Sequence, residues 1–262
     1  AAIDECVRNI VCVGGDPEST AILDNFCWPS ANDELSLGRL VRCAHGCYDA
    51  AKAYRTPFIS GKDSLNNQFT KDDGETIYIP PTLLVSGFSI VENIEQCVTM
   101  DAKQSGNKLF LVGDTTDACG GSHALQVQPN MACNLMLPEV DLTAGPANAK
   151  SVHNVIKQGL VQSAHDLSEG GLLVALAEMA FGGGLGITVS QNELSDTMLV
   201  SETPSRYLIE VAPEDVEKFA ESMKGISCSI LGEINDSNSL IIGNYTWDCE
   251  TLKSCWLEGM VI

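Results

Sequence analysis

The stretch Gly159 to Phe181, GLVQSAHDLSEGGLLVALAEMAF, decides the reading of the chain. It predicts a short strand, a polar turn and a helix. Leu160 and Val161 supply the strand's apolar residues. Asp166 stands where a helix N-cap belongs, with Glu169 three positions on, the spacing of a capping box in which each side chain meets an orphan N–H of the first turn. Gly170 and Gly171 let another backbone or a phosphate come close. Leu172, Leu173, Leu176, Ala177 and Ala180 recur at helical spacing and form the buried face. Gly182, Gly183 and Gly184 end the helix. A helix start offers free N–H groups and a partial positive charge, which suits an anion. A carboxylate beside it suits a metal riding on that anion. The same pattern also reads as an ordinary helix cap.

Upstream of this unit, Asn148 to Gln158 predicts a helix and Lys108 to Val112 (KLFLV) a buried strand, with a flexible turn at Gly120, Gly121 and Ser122. Downstream, Gly186–Val189 and Tyr207–Val211 read as strands, and Asp215 to Met223 as a helix packing through Val216, Phe219 and Met223. The pattern turns polar from Cys97 to Ser105, which sets a domain boundary and divides the chain into residues 1–103 and 104–262.

In the first of these, Ala1 to Val13 is helical, with an apolar stripe of Ile3, Cys6, Val7 and Ile10. Glu5 and Asn9 stack on the opposite face. A carboxylate and an amide at that spacing can share a hard cation, or simply form a solvated face. Ala21 to Leu23 predicts a strand ending at Asp24. A helix from Glu34 to Tyr54 turns Leu37, Leu40, Val41, Ala44, Tyr48 and Ala51 inward. Phe58 and Ile59 begin a strand that breaks into Ser60-Gly61-Lys62-Asp63-Ser64. Thr56 stands where the first Gly of a Walker A loop belongs, so this is not one. A Gly-plus-Lys turn after a strand is still a place where N–H groups and an ammonium can meet phosphate. Asp72-Asp73-Gly74 reads as a hairpin turn, and Thr82 to Val91 as a central strand bounded by Pro80 and Pro81. The fold class that results is α+β in two domains, a sheet-plus-helices first domain and an α/β second domain.

Composition narrows the function. A hydrophobic share of 44% with 19% charged residues is globular. No run of apolar residues is long enough for a membrane span, and no signal peptide opens the chain. A net charge of −20 excludes a nucleic-acid surface, which needs clustered Lys and Arg. Nucleotides remain possible ligands where Mg²⁺ offsets the repulsion. The 11 cysteines contain no Cys-x-x-Cys, and Cys43 and Cys47 share a helix face without a zinc-spaced cluster. Free thiols in a reducing, cytoplasmic compartment are expected. The four histidines share no motif and are expected to be structural, His165 falling on the opposite face of an extended chain from Asp166. No nucleophile–histidine pattern emerges, so no catalytic residue is assigned. The chain starts inside a helix with no cap before Ala1, so a piece of a longer protein is expected.

Several segments together resemble the C-terminal half of phosphoribosylformylglycinamidine synthase, the synthetase component of purine biosynthesis. They are SGKDSLNN (Ser60–Asn67), IPPTLLVSGFSIV (Ile79–Val91), VTMDAK (Val98–Lys103), NKLFLVGDT (Asn107–Thr115), HDLSEGGLLVALAEMAF (His165–Phe181) and SETPSRYLIEV (Ser201–Val211). They cover nearly the whole chain in the family's order. The wider superfamily includes aminoimidazole ribonucleotide synthetase and selenophosphate synthetase. The resemblance implies a pseudo-dimer of two homologous halves, each with a first domain whose sheet pairs with its counterpart. It implies ATP-dependent phosphorylation of the amide oxygen of formylglycinamide ribonucleotide, then displacement by ammonia from a glutaminase subunit or fused domain. Its Glu-x-x-x-Asn helix matches Glu5 and Asn9, and its Asp-x-Ser matches Asp166 and Ser168. This implies Mg²⁺ ligation by Glu5, Asn9 and Asp166 and nucleotide contact by Ser168 in an auxiliary site. Asp24, Gly61 and Ser64 match residues that reach across to ATP and substrate in the catalytic site. Lys62 stands where one branch has Asn, and an ammonium meets phosphate rather than Mg²⁺. The catalytic His is expected in the N-terminal half, the partner of this one, so this half alone is expected to be inactive. A non-catalytic half holding a structural nucleotide, or another ATP-dependent synthetase of the superfamily, are the alternatives.

Overall fold

The computed structural model describes residues 1–190 and 194–259. Helix α1 (Ala2–Cys12) opens the chain and buries Ile3, Val7 and Val11 at helical spacing. Strand β1 (Ala21–Cys27) leads to helix α2 (Glu34–Tyr54), capped where Ser36 N–H donates to the Asp33 carboxylate and ended by Arg55 in the left-handed region. Strand β2 (Phe58–Ser64) follows. Then come the hairpin β3 (Gln68–Thr70) and β4 (Thr76–Tyr78), turned at Gly74, and strand β5 (Thr82–Phe88). A three-stranded sheet runs β2-β1-β5, with β2 parallel and β5 antiparallel to β1.

The rest of the chain builds a larger sheet. Its elements are β6 (Lys108–Val112), α3 (His123–Val127), α4 (Ala144–Lys157), β7 (Ser163–Asp166), α5 (Gly171–Gly183), β8 (Gly186–Val189), α6 (Asp196–Val200), β9 (Tyr207–Val211), α7 (Val216–Ser222), β10 (Cys228–Asn235), β11 (Ser239–Ile242), β12 (Tyr245–Asp248) and α8 (Cys249–Glu258). The seven strands lie in the order β12-β11-β8-β10-β6-β9-β7; β11 runs parallel to β8 and the other neighbours pair antiparallel. The architecture is α+β. Successive side chains of β6 point to opposite faces, and both sets are buried. Leu109 and Leu111 join a core with Leu172, Leu176 and Met179 of α5. Phe110 and Val112 join a second core with Val152, Val155, Phe219 and the apolar face of α1. Helix α1 packs on both β5 and β7, so the end of β7 meets a helix from the start of the chain.

The structure departs from the sequence reading in the elements themselves. Leu160 and Val161 are buried but lie in the turn after α4; the strand is Ser163–Asp166. Asp166 therefore closes a strand and caps no helix, because α5 begins at Gly171 after Gly170 in the left-handed region. The Ser60–Ser64 segment is no turn. It continues β2, with Gly61 opposite Asp24 in register. Strand β5 is an edge strand, with Leu84 and Phe88 exposed and Leu83 and Val85 packed inward. Helix α2 leaves Leu37 at 45%, Val41 at 47% and Tyr48 at 62% exposure, and buries Ser36, Cys47 and Tyr54 instead.

Candidate functional site

Asp4 and Arg8 are one helical turn apart on α1, on the side that meets β7. Both are buried. Arg8 Nε donates to Asp4 Oδ2 at 2.8 Å, and Arg8 Nη1 donates to Asp166 Oδ2 at 3.0 Å. Nη1 also reaches the Leu167 carbonyl and, at 3.3 Å, Ser168 Oγ. Asp4 in turn accepts from Ser205 N–H at 3.0 Å, from Ser205 Oγ and from the Tyr54 hydroxyl. One guanidinium thus holds two buried carboxylates and fixes the loop after β7 against α1. Buried charges persist only when paired in this way.

Turning slightly around α1 brings Glu5 and Asn9 to the edge of a concavity of about 310 Å³. Its other walls include His165, Asp166, Ser168, Glu169 and Glu178. Four residues proposed from sequence, Glu5, Asn9, Asp166 and Ser168, therefore line one space. Ser168 Oγ donates to Asp166 Oδ2 at 2.7 Å. His165 bridges two carboxylates, with Nδ1 3.5 Å from Asp166 Oδ1 and Nε2 2.9 Å from Glu178 Oε2. The expectation that His165 faces away from Asp166 is corrected: β7 ends at Asp166, and the two neighbouring side chains meet there.

Charge in this space is predominantly negative. Burial alone would raise the Asp166 carboxyl, but His165, Arg8 and Ser168 outweigh it and hold it below its ordinary value. Burial would lower the His165 imidazole; hydrogen bonds to Asp166 and Glu178 prevail and lift it to about 9, so it carries its proton at neutral pH. Glu5 is pushed up, first by burial and then by Glu169 and the neighbouring aspartates, with Arg8 opposing. Carboxylate and amide oxygens under mutual repulsion are the donor set a hard cation takes. The residues present fit Mg²⁺ in kind: Glu5, Asn9 and Asp166 bring carboxylate and amide oxygens to one space, with His165 beside Asp166 Oδ1. Among the described residues no three His, Cys, Asp or Glu side chains are grouped as a closed metal site.

The helix start expected to attract an anion already has one. Glu202 Oε1 accepts from Gly170 N–H at 2.9 Å and from His123 N–H at 2.8 Å. Gly171, at φ +64°, lies so close to the loop that a Cβ would stand 2.3 Å from the Ser201 carbonyl oxygen.

Asp24, Gly61, Lys62 and Ser64 lie elsewhere, on β1 and β2 of the small sheet, and none of them lines the concavity. A Cβ at Gly61 would stand 2.0 Å from Asp24 Oδ1, so glycine is what lets that carboxylate lie across β2. Lys62 Nζ donates to Ser64 Oγ and, at 3.1 Å, to the Asp63 carbonyl. The residues that sequence reasoning missed are Asp4, Arg8, His165 and Glu202. Asp4 and Arg8 at i, i+4 beside the apolar stripe look the same as a solvated helix face; Glu202 had no signal.

A family model described as AIR synthase related protein, C-terminal domain, matches residues 104–243, and its N-terminal-domain counterpart matches residues 1–87. The chain belongs to the AIR synthase related family. Within it, the phosphoribosylformylglycinamidine synthase subunit PurL of Lactobacillus helveticus (strain DPC 4571) is 32% identical over 264 residues, taking in 99% of this chain and 34% of that protein. The chain thus spans 34% of the length of this curated relative. Among solved structures, Thermotoga maritima PurL complexed with FGAR gives a TM-score of 0.70 at 16% identity, covering 95% of this chain and 42% of that one. The same protein complexed with ATP gives 0.65 at 17%, covering 95% and 40%. HypE of E. coli, a hydrogenase maturation protein, gives 0.67 at 13%, covering 93% and 76%. At these identities the structural likeness concerns the AIR synthase related fold alone.

Proposed function

We propose that this chain is the C-terminal half of an ATP-dependent ligase of purine biosynthesis. The reaction converts formylglycinamide ribonucleotide and glutamine-derived ammonia to formylglycinamidine ribonucleotide. The observation that carries the reading is the 32% identity to a PurL subunit, which runs through 99% of the chain. The division at residue 103, the cytoplasmic location and the partners belong to the same reading. The partners are the N-terminal half of the synthetase and a glutaminase, fused or separate. An open small sheet, with Phe58, Ile59, Leu84 and Phe88 exposed, supports pairing with the other half.

Two sets of residues have roles. Glu5, Asn9 and Asp166 would hold Mg²⁺, and Ser168 would contact a nucleotide, in the concavity between α1 and β7. Bound there, Mg²⁺ would shield nucleotide phosphates from the surrounding carboxylates. The chain's own contribution is preorganisation. Arg8 and His165 keep Asp166 anionic and fixed, and Asn9 adds a neutral oxygen where a further carboxylate would add repulsion. Asp24, Gly61 and Lys62 would contact ATP, and Ser64 the substrate, in a site completed by the other half. Lys62 would exchange its contacts with Ser64 and Asp63 for phosphate oxygens as a point charge.

The test combines this chain with the N-terminal half and the glutaminase and follows product formation from formylglycinamide ribonucleotide, ATP and glutamine. Turnover by the assembly and none by the chain alone is the expected result. An assembly that hydrolyses no ATP in the presence of that substrate would overturn the reading. Titration of the assembly with Mg²⁺ and ADP, with Glu5→Gln and Asp166→Asn as controls, separates the nucleotide role of the concavity from catalysis.

A further inference from the structure

Between β6 and α4 the chain carries only the short helix α3. Two parts of this connection pair with each other. Ala118 bridges Asn134, Cys119 N–H donates to the Asn134 carbonyl at 2.8 Å, and Gly120 N–H donates to the Met136 carbonyl at 2.9 Å. The pairing brings Cys119 beside Cys133, and their thiols share a hydrogen bond. Cys119 is fully buried, whereas Cys133 is partly exposed. The Cys119 sulfur also lies 3.5 Å from the Asp117 carbonyl oxygen and 3.6 Å from that of Thr197, which hold it in place.

Cys43 and Cys47 touch as well, but their setting is different. They stand one turn apart on α2, where Cβ atoms lie ~5–6 Å from each other, and a disulfide needs ~3.5–4.5 Å. A helix of 21 residues would have to distort to close that gap. Cys119 and Cys133 sit in irregular segments joined by a single bridge, and such backbone adjusts at little cost. The strap between them carries α3. His123 N–H at its start is held by Glu202 Oε1, which also holds Gly170 N–H ahead of α5.

We propose that Cys119 and Cys133 are a redox modification site, at which hydrogen peroxide joins the two sulfurs in a disulfide across the base of this strap. Cys133, the exposed member, reacts first. Its thiolate attacks one peroxide oxygen, the O–O bond breaks, and hydroxide leaves and takes up the thiol's proton as water. The Cys119 sulfur then attacks the sulfur of the Cys133 sulfenic acid. The S–O bond breaks, and hydroxide leaves with the Cys119 proton as a second water. The two thiols lose two electrons and two protons, and the peroxide gains both. Burial, with Cys133 and the carboxylates of Asp117 and Glu202, pushes the Cys119 thiol up, so it keeps its proton until the sulfenic acid forms beside it. The site is independent of the nucleotide reading and requires no metal.

The test treats the folded chain with hydrogen peroxide, removes the excess, and alkylates the remaining thiols in denaturant with N-ethylmaleimide. The unreduced chain is then cut with chymotrypsin, which cleaves after Leu125 between the two cysteines, and mapped by mass spectrometry. Alkylated thiols should fall by two from 11, the peptides of Cys119 and Cys133 should appear joined, and dithiothreitol should restore both thiols. Cys119→Ser should leave Cys133 as a sulfenic acid that dimedone traps. Cys133→Ser should leave Cys119 fully alkylated. Exchange of the His123 amide should slow in the joined chain. The proposal is overturned if peroxide links other cysteines in preference to this pair, or if Cys133 is oxidised without a link to Cys119. It is overturned equally if the folded chain loses no thiol, or if the joined chain exchanges His123 as fast as the reduced one.

Discussion

Arg8 and Asp166, 158 positions apart in the chain, meet through Nη1 and Oδ2 at 3.0 Å. The pair joins the first helix to the strand end that carries the candidate site. Arg8→Met keeps the stem and removes the guanidinium, leaving Asp4 buried without a cation and Asp166 with His165 alone. Breaking a buried pair from one side costs about 3–5 kcal/mol. Urea unfolding should show a loss of that size, and adding Asp166→Asn should recover part of it. A loss under about 1 kcal/mol would show that the pair does not secure α1.

Glu202 is expected to act as a cap shared between two segments. Hydrogen bonds to a charged group contribute about 1.5–3 kcal/mol. Glu202→Ala should destabilise the fold by roughly that amount in thermal denaturation. Amide exchange at Gly170 and His123 should accelerate together. Acceleration at one amide alone would show that the bridging geometry is wrong.

The imidazole of His165 gives stability a pH dependence. Its folded value of about 9 lies above the ordinary 6.5, so the proton favours the folded state. The stabilisation is complete below about pH 6.5 and is lost as pH rises through about 9, an effect on the order of a few kcal/mol. Unfolding free energies measured across that window should fall, and His165→Gln should flatten the slope. An unchanged slope in the variant would assign the dependence to other groups.

Gly61→Ala places a Cβ 2.0 Å from Asp24 Oδ1. Overpacking of this kind costs about 1–3 kcal/mol. The Asp24→Ala variant should relieve it, so the double variant should be less destabilised than the sum of the singles. Strict additivity in chemical denaturation would mean that the two side chains do not meet.

Much of this fold was legible where burial is two-sided. Gly186–Val189 and Tyr207–Val211 read as short apolar runs because both faces of each strand are covered. Helix α5 was legible from Leu172 to Gly183 for the same reason. Apolar periodicity says little about edges. Strand β2 carries Gly61, Lys62 and Asp63 at the rim of a sheet, and that composition reads as a turn. In the site, Glu5/Asn9 and Asp166/Ser168 were found from spacing and family resemblance. Asp4 and Arg8 were not, because a charged residue beside an apolar stripe is normally solvated, and the second carboxylate that makes burial tolerable, Asp166, lies 158 positions away. Glu202 holds α5 through a backbone N–H, which no side-chain pattern records.

Trp256 Nε1 donates to Glu178 Oε1 at 3.1 Å, and the other oxygen of that carboxylate holds His165. The same indole packs against Phe181, with ring centroids 5.9 Å apart. The chain's two other tryptophans sit apart from this network: Trp28 is buried beside Phe26, and Trp247 stacks on Tyr245. The last helix therefore carries a natural fluorophore one carboxylate away from the His165–Asp166 pair. Charge arriving in the concavity can be followed in the chain's own emission, without a label and without turnover.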